Sequence, residues 1–229
     1  MPVRTPARTK IAPRPGTRGE PEKTRATILK AALHEFASEG VAGARTDEIA
    51  RLAGVNKALL YYYFRDKESL YGAVIDDVFQ KMRERLLQVL NSDQPPRLRM
   101  VEFAGAHFDH IAEAPEYPRL VQQETMRAGR QKSPHLKRIA QNYFQPIYAR
   151  LLEVLQEGID AGEFRAVDTR RFAMAMGAVV AHYFNSLPIA QLLGNTDPLA
   201  PECIAAQRAA VIDFISHALF REPLKGTVS

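Results

Sequence analysis

Residues 46–70 read TDEIARLAGVNKALLYYYFRDKESL, and this stretch decides the fold. Thr46 can cap a helix at its N-terminus, and the two acids that follow it place negative charge where the helix dipole favours negative charge. Gly54 can adopt the positive φ that reverses the chain, with Val55 packed beneath the turn. The stretch therefore predicts a short helix, a tight turn and a second helix.

The second helix is predicted over residues 56–63, and Asp66 can cap a third helix that begins at Lys67. Leu60 and Phe64 are expected in the core because they fall on the inward face. The three consecutive tyrosines cannot all point inward, since successive helical residues are about 100° apart. At least one tyrosine must therefore face solvent or a partner.

A larger set of positions in and before this stretch carries a family resemblance. They are Ile49, Ala50, Ala53, Gly54, Val55, Leu60, Tyr61, Tyr62, Tyr63, Phe64, Lys67, Glu68 and Leu70, preceded by a helix with Ala31, Ala32, Phe36 and Gly40. This pattern resembles the N-terminal domain of tetracycline-repressor (TetR) family regulators over roughly residues 24–74, and its spacing is more specific than a lone helix-turn-helix. Ala58 and Leu59 depart from it, because the family often carries Gly and then a small polar residue here. Contact with thymine methyl groups is the alternative to hydrogen-bond readout at these positions.

The resemblance implies that the second helix contacts double-stranded DNA. Tyr62, Tyr63 and Lys67 would contact phosphates. Lys57 would lie in the major groove, and Thr46 would add a phosphate contact. The complete predicted DNA-binding set is Thr46, Asn56, Lys57, Ala58, Leu59, Tyr61, Tyr62, Tyr63 and Lys67. The competing interpretation of an aromatic stripe at helical spacing is packing in the core.

The net charge of +5 is unevenly distributed along the chain. Residues 1–71 contain 13 Lys and Arg against 8 Asp and Glu, whereas the remainder contains 18 of each. The excess positive charge thus lies on the segment with the helix-turn-helix, as expected for a phosphate-binding domain joined to a domain with another role.

The termini and the overall composition give weaker expectations. Residues 1–20 are rich in Pro, Arg and Thr, which predicts a disordered basic arm that is either a solubilising tail or an addition to DNA binding. A flexible tail is predicted at 222–229. The single Cys203 excludes an intramolecular disulfide, and neither a membrane-spanning run nor a secretory signal is recognisable. We therefore expect a cytoplasmic protein without membrane contact.

The predicted fold class is all-α, with a three-helix DNA-binding domain at 21–72 and a helical ligand-binding and dimerisation domain at 73–221. No alternation of period two persists long enough to predict strands. Pro146 predicts a kink or break inside one long segment. Helices are expected at about 21–38, 67–91, 97–113, 116–130, 134–161, 168–187 and 199–220.

His107, His110 and Glu113 have a spacing that a metal site tolerates, but histidines beside phenylalanines are more often pocket or packing residues. No nucleophile elbow, phosphate-binding glycine-rich loop or HExxH motif is recognisable. We therefore expect that the protein binds neither a metal nor a cofactor and that it is not an enzyme.

The last two predicted helices carry apolar residues on more than one face, which is compatible with a monomer core. The family resemblance implies instead that these helices pair with their copies in a homodimer. The residues predicted at the dimer interface are Ala173, Gly177, Val180, Ala181, Phe184, Ile204, Val211, Phe214, Ile215 and Ala218.

Aromatic, thioether and neutral polar side chains recur at helical spacing in the second domain, which favours a site for an apolar, aromatic small molecule. The predicted ligand-binding residues are Phe103, His107, His110, Glu124, Tyr143, Phe144, Met174, His182 and Tyr183. Ordinary core packing is the competing interpretation. A cavity-facing carboxylate at Glu124 would select a cationic ligand, whereas at the surface it would select nothing.

Together these patterns predict a homodimeric transcriptional regulator, a repressor released from a palindromic operator by a small, largely apolar effector. A ligand-independent regulator or an activator of the same fold is the first alternative. An enzyme with an incidental helix-turn-helix is the second alternative, and turnover in the absence of DNA would identify it.

Overall fold

The computed structural model describes residues 20–130, 133–194 and 197–222. Residues 1–19 of the predicted basic arm and residues 223–229 of the predicted tail lie outside the described residues. The expectations for these two segments stay predictions.

The chain divides into two compact units, Met1–Val74 and Ile75–Ser229. The first unit contains α1 (Pro21–Gly43), α2 (Thr46–Leu52), α3 (Lys57–Tyr63) and the start of α4 (Lys67–Leu90), which continues into the second unit. The second unit also contains α5 (Pro96–Glu113), α6 (Tyr117–Arg130), α7 (Pro134–Arg138), a π-helix (Ile139–Phe144), α8 (Gln145–Asp160), α9 (Thr169–Asn185), α10 (Leu187–Gly194) and α11 (Pro201–Leu219). The all-α prediction is confirmed: within the described ranges the only bridge of β type is an isolated one between Phe164 and Phe220.

The core of the first unit forms where α1 packs on the helices that follow it. Phe36 of α1 is fully buried and meets Tyr71 of α4 edge to face, with ring centroids 5.0 Å apart. Leu60 of α3 is fully buried as well, and Phe64 is 5% exposed, which confirms their predicted inward orientation. This core fixes which face of α3 remains outside.

One detail of the first unit agrees with the sequence predictions and one differs. The first helix was predicted over about 21–38, and α1 is interrupted at Gly40, whose φ of 66° is not helical, before a short continuation to Gly43. Thr46 is not the N-cap of α2, because that position belongs to Arg45 and no side chain caps the helix. The Thr46 hydroxyl lies instead 3.2 Å from the hydroxyl of Tyr61, so it is engaged elsewhere.

In the second unit α5 is central, since α8, α9 and α11 all pack against it. Phe108 of α5 and Phe184 of α9 lie in this core with ring centroids 5.0 Å apart. Buried Arg99 pairs with Glu157 of α8 and donates to the carbonyl of Leu90, so the charge buried beside the core is compensated.

The prolines act differently from one another. The segment at 134–161, where Pro146 predicted a kink or break, changes its hydrogen-bond register: α7, the π-helix and α8 follow one another directly, and Pro146 is the second residue of α8. A proline has no N–H for the preceding turn, and a local π register accommodates that loss. The helix expected at about 168–187 ends at Asn185, and Pro188 is the second residue of α10, a position that does not need an N–H.

Candidate functional site

The turn between α2 and α3 has a geometry that only a few residue types allow. Gly54 has a φ of 66°, in the left-handed region that favours glycine. The N–H of Val55 donates to the carbonyl of Ala50 at 3.0 Å, which closes the turn. The side chain of Asn56 then caps α3 by accepting from the N–H of Leu59 at 2.7 Å. The turn thereby fixes the direction in which α3 leaves it.

The outer face of α3 carries aromatic hydroxyls and one cation. Tyr62 is 80% exposed and Tyr61 is 41% exposed, whereas Tyr63 is half-buried and meets Tyr62 edge to face. Lys57 and Ala58 are exposed as well, and Leu59 is half-buried. An exposed tyrosine pair beside a lysine offers donors suited to phosphate oxygens.

Two polar contacts join α2 to the outer face of α3. The Thr46 hydroxyl lies 3.2 Å from the Tyr61 hydroxyl. The ammonium group of Lys57 lies 3.0 Å from one carboxylate oxygen of Asp47, and this hydrogen bond raises the pKa of Lys57. The polar side chains predicted on both helices therefore lie together on one surface.

Lys67, predicted to contact a phosphate, already has partners within the protein. Its ammonium group donates to the carbonyls of Ala42 and Ala44, at 3.1 Å and 3.2 Å. These carbonyls lie at the end of α1, where a cation is favoured by the helix dipole. The lysine thus ties α4 to the end of α1, and phosphate contact remains a prediction.

Arg45 belongs to the same surface and was not among the predicted residues. Its N–H donates to the buried carboxylate of Glu35 at 2.9 Å, which fixes the backbone before α2. Its side chain is exposed, and its charge lowers the pKa of Lys57, against the larger effect of Asp47. Its position directly before Thr46, which was predicted to contact a phosphate at the start of α2, was the signal that could have identified Arg45.

The second unit contains a partly open cavity of about 820 Å³. Its buried end is lined by Met82, Leu86, Phe103, Tyr117 and Leu151. Its exposed rim includes Gln122, Met126, Gln145, Met174 and Asn185. A largely apolar hollow with a few polar side chains at its edge has the size and character of a small-molecule site.

Four of the nine predicted ligand-binding residues line the cavity: Phe103, His107, Phe144 and Met174. The other five, His110, Glu124, Tyr143, His182 and Tyr183, are not part of the lining. Tyr143 donates to Asp76 and Tyr183 donates to the carbonyl of Pro198, which accounts for both hydroxyls. The sequence missed the contribution of α6, whose Tyr117, Val121 and Thr125 form one helical stripe along the cavity.

The prediction that Glu124 is a ligand-binding residue is wrong. Its side chain is completely buried, lies 2.9 Å from Arg127 and accepts from the hydroxyl of Ser133. It therefore connects α6 to the start of α7 and does not face the cavity. The expectation of a cationic ligand, which depended on a cavity-facing carboxylate, loses its basis.

The polar groups in the buried end of the cavity are neutral at pH 7. Burial lowers the pKa of His107 to about 4, and the nearby His110 adds to this effect. Burial also raises the pKa of Tyr117, whose hydroxyl donates to the sulfur of Met82 at 3.1 Å. Within the described residues no cluster of His, Cys, Asp and Glu side chains is arranged to hold a metal ion.

Most of the predicted dimer-interface residues are not at the surface of the protomer. Five are buried within the protomer and belong to its own core or cavity wall: Ala173, Val180, Phe184, Val211 and Ile215. Gly177 and Ala181, with Ala173, line the cavity, and Ile204 and Ala218 are half-buried. Only Phe214 is a large exposed apolar side chain, at 58%.

The exposed apolar surface of the second unit lies beside this predicted set. Ala206, Ala210 and Phe214 are exposed at a spacing of four residues along α11. On α10, which the sequence analysis did not predict, Leu192 and Leu193 are 85% and 83% exposed. These side chains are the exposed apolar positions from which a dimer interface is considered below.

No single helix in the described ranges is long and apolar enough to cross a membrane. The pair α9 and α10 meets the length and composition criterion only together, and it is bent by 64°.

Comparison with known proteins gives matches to both units. Residues 28–74 match the family model described as bacterial regulatory proteins, tetR family, and residues 96–215 match the tetracyclin repressor-like C-terminal domain. The repressor NicS of Pseudomonas putida is 26% identical over 167 residues, which are 72% of this chain and 77% of that protein. The repressor SCO4008 of Streptomyces coelicolor is 34% identical over 146 residues, which are 62% of this chain and 68% of that protein. A solved structure of a linker-substituted mutant of HlyIIR is similar with a TM-score of 0.64 and 27% identity, covering 89% of this chain and 98% of that one.

Proposed function

The chain belongs to the TetR family of bacterial transcriptional regulators, and on that premise we propose that it is a cytoplasmic, homodimeric repressor of a palindromic operator. A small, largely apolar ligand in the cavity of the second unit releases it from the DNA. The assignment as a repressor is supported by the names of its relatives NicS and SCO4008.

The observation that carries the DNA-binding part is the outer face of α3. Tyr61, Tyr62 and Lys57 are exposed on this face while Leu60 on the opposite face is buried, so the helix presents polar groups outward from a fixed core. In this proposal Lys57 and Ala58 reach base edges in the major groove. Tyr62, Arg45 and Thr46 contact the phosphates on either side.

A dimer is supported by the exposed apolar side chains of the second unit. Association of two copies would remove these side chains from contact with water. They are Phe214 and the exposed alanines before it on α11, and Leu192 and Leu193 on α10. A twofold axis would place two α3 helices on successive major grooves, and a palindromic operator would follow from that symmetry.

Release by a ligand is supported by the cavity and by its link to α4. Phe144 of the π-helix lines the cavity, and its neighbour Tyr143 donates to Asp76 of α4 at 2.6 Å. α4 begins in the DNA-binding unit and continues into the cavity-bearing unit. A ligand that favours one position of the π-helix would therefore favour one position of α4 and change the spacing of the two α3 helices.

The test begins with selection of the preferred DNA from a pool of random duplexes by the purified full chain, followed by footprinting and light scattering of the complex. The expected result is a palindromic site with half-site centres one helical turn or a multiple of it apart, occupied by an even number of chains. An asymmetric site bound by a single chain would contradict the dimeric arrangement. Failure to select any duplex would contradict the placement of the DNA contacts on α3.

A further inference from the structure

The side chain of His107 lines the cavity, and no donor or acceptor among the described side chains and backbone groups reaches its Nδ1 atom. Because Nδ1 is itself buried, a ligand in the cavity would meet the imidazole at its other nitrogen, Nε2. The imidazole packs tilted against Phe103, with ring centroids 6.1 Å apart, and both side chains line the cavity. A ligand that covers Nε2 without offering a hydrogen bond leaves that nitrogen unpaired, which is unfavourable, so this position favours a ligand with a polar group.

The cavity offers no counter-charge to an ion. The described residues that line it include no Asp, Glu, Lys or Arg. Glu124, an acid of the adjoining α6, is directed to Arg127 and Ser133. Because an ion buried without an opposite charge loses its hydration and gains little in return, this lining disfavours carboxylates and amines alike.

His107 itself stays uncharged in this environment, since burial lowers its pKa to about 4. A neutral imidazole has one N–H donor and one lone pair, and either ring nitrogen can carry the proton. A hydroxyl group both donates and accepts, so it can pair with either tautomer. A ketone or an ether only accepts hydrogen bonds, so it can pair with a ring nitrogen that carries a proton but not with one that has a lone pair.

Resting on the release mechanism proposed above, we infer that the effector is an uncharged, largely aromatic molecule whose hydroxyl group hydrogen-bonds to His107. The aromatic body would lie against Phe103, Tyr117 and Phe144, and the hydroxyl would enter the buried end. Aromatic faces also attract quaternary ammonium groups. A quaternary ammonium probe in the experiment below tests that competing ligand class.

The experiment is equilibrium dialysis of the full chain at neutral pH against four probes of one shape: 2-naphthol, naphthalene, 2-naphthoate and 2-naphthyltrimethylammonium. 2-Naphthol is expected to bind about tenfold more tightly than naphthalene, because the hydroxyl pairs with Nε2 of His107, which naphthalene covers and leaves unpaired. The two charged probes are expected to bind more weakly than naphthalene. Equal binding of 2-naphthol and naphthalene, tighter binding of either ion, or no binding of any probe would overturn the inference.

A matched pair of variants locates the hydroxyl. In His107→Leu the advantage of 2-naphthol over naphthalene should disappear while naphthalene still binds. The control is His110→Leu, which removes the buried histidine of α5 that lies outside the lining, and there the tenfold advantage should persist. An advantage lost in both variants would assign the effect to general disturbance of α5. The ranking of probes on the unmodified chain stands whether or not either variant folds.

Operator binding separates this inference from the proposed function. If 2-naphthol shows its advantage but leaves operator affinity unchanged, the chemistry of the site stands and release by its occupancy is wrong. If some ionic compound releases the operator while 2-naphthol does not bind, the proposed function stands and the ligand class inferred here is wrong.

Discussion

The ammonium group of Lys57 lies 3.0 Å from the carboxylate of Asp47, so the cation that we propose enters the major groove is paired with an acid of the preceding helix. Both side chains are largely exposed, at 49% and 62%. An exposed ion pair is weak and easily exchanged, so DNA can replace Asp47 as the partner of Lys57 at small cost. The pair holds the lysine in place in the unbound protein and opposes DNA binding only slightly.

Asp47→Asn should raise operator affinity a few-fold, because Lys57 no longer has to leave a carboxylate and one negative charge near the phosphates is removed. Fluorescence anisotropy with labelled operator measures this affinity. The control is Glu48→Gln, which removes the same charge from the same helix but breaks a pair with Arg51 instead. An equal gain in operator affinity in both variants would mean that the effect comes from the change in net charge and not from the pairing of Lys57.

Lys67→Met should lower the free energy of unfolding by about 1 kcal/mol, since the carbonyls of Ala42 and Ala44 lose their donor. If the ammonium group also contacts a phosphate, the slope of log affinity against log salt should become shallower by about one unit. Denaturant unfolding and a salt series measure the two effects separately. A loss of stability with an unchanged slope would leave Lys67 with a structural role alone.

Phe214→Glu should shift the chain from dimer to monomer, because a charge buried in an apolar interface without a partner costs several kcal/mol. Light scattering over a concentration series measures the shift. Leu98→Glu is the control, since Leu98 is a similarly exposed apolar residue on α5 at 46%. Val211→Glu should instead destabilise the protomer, because Val211 is buried within it. A dimer that persists in Phe214→Glu would move the interface away from the exposed face of α11.

Acidification should destabilise the protein through His107. Its pKa is about 6.5 in the unfolded chain and is lowered to about 4 by burial, so the unfolded state binds more protons between these values. Its contribution is therefore fully present above pH 6.5 and is lost as the pH falls towards 4. Between pH 7 and pH 5 the free energy of unfolding should fall by about 2 kcal/mol from this residue.

Denaturant unfolding of the unmodified chain and of His107→Leu at both pH values isolates this effect. The decrease that remains in His107→Leu would come from other groups, including His110, whose pKa is also lowered by burial. Equal pH dependence in the two proteins would contradict the buried, neutral state of His107.

Tyr143→Phe should weaken the coupling between ligand and operator while leaving ligand affinity nearly unchanged, since Tyr143 contacts Asp76 and not the cavity. The measured quantity is the ratio of operator dissociation constants with and without ligand. Tyr183→Phe is the control, because it removes a tyrosine hydroxyl bond from the same unit at a distance from α4. Equal coupling in the unmodified chain and Tyr143→Phe would remove this contact from the proposed mechanism.

The sequence was most informative where local rules determine the outcome. Helical periodicity assigned Leu60 and Phe64 to the core, and the need for a left-handed residue placed the turn at Gly54. The same kind of local rule describes Ser133 and Asp168, whose side chains accept from the N–H of the third residue of the helix that follows each of them.

The sequence could not decide what an inward-facing side chain meets. Val180 and Phe184 have the same apolar character whether they face a core, a cavity or a second chain, and only the neighbouring helices assign them to the core. Glu124 and Tyr143 were predicted in the cavity for the same reason, although their polar atoms bind elsewhere, to Ser133 and to Asp76. Pairings of that kind depend on tertiary contacts that periodicity does not encode.

The measurement that tests the central claim most directly is calorimetric titration of a releasing ligand into the protein alone and into its saturated operator complex. If the ligand and the operator compete for two states of one dimer, the ligand must bind the complex more weakly by the same factor by which it weakens operator binding. We predict a factor of at least about five, with a matching value in the reciprocal titration. Equal ligand affinity for the free protein and for the operator complex would contradict a ligand-released repressor.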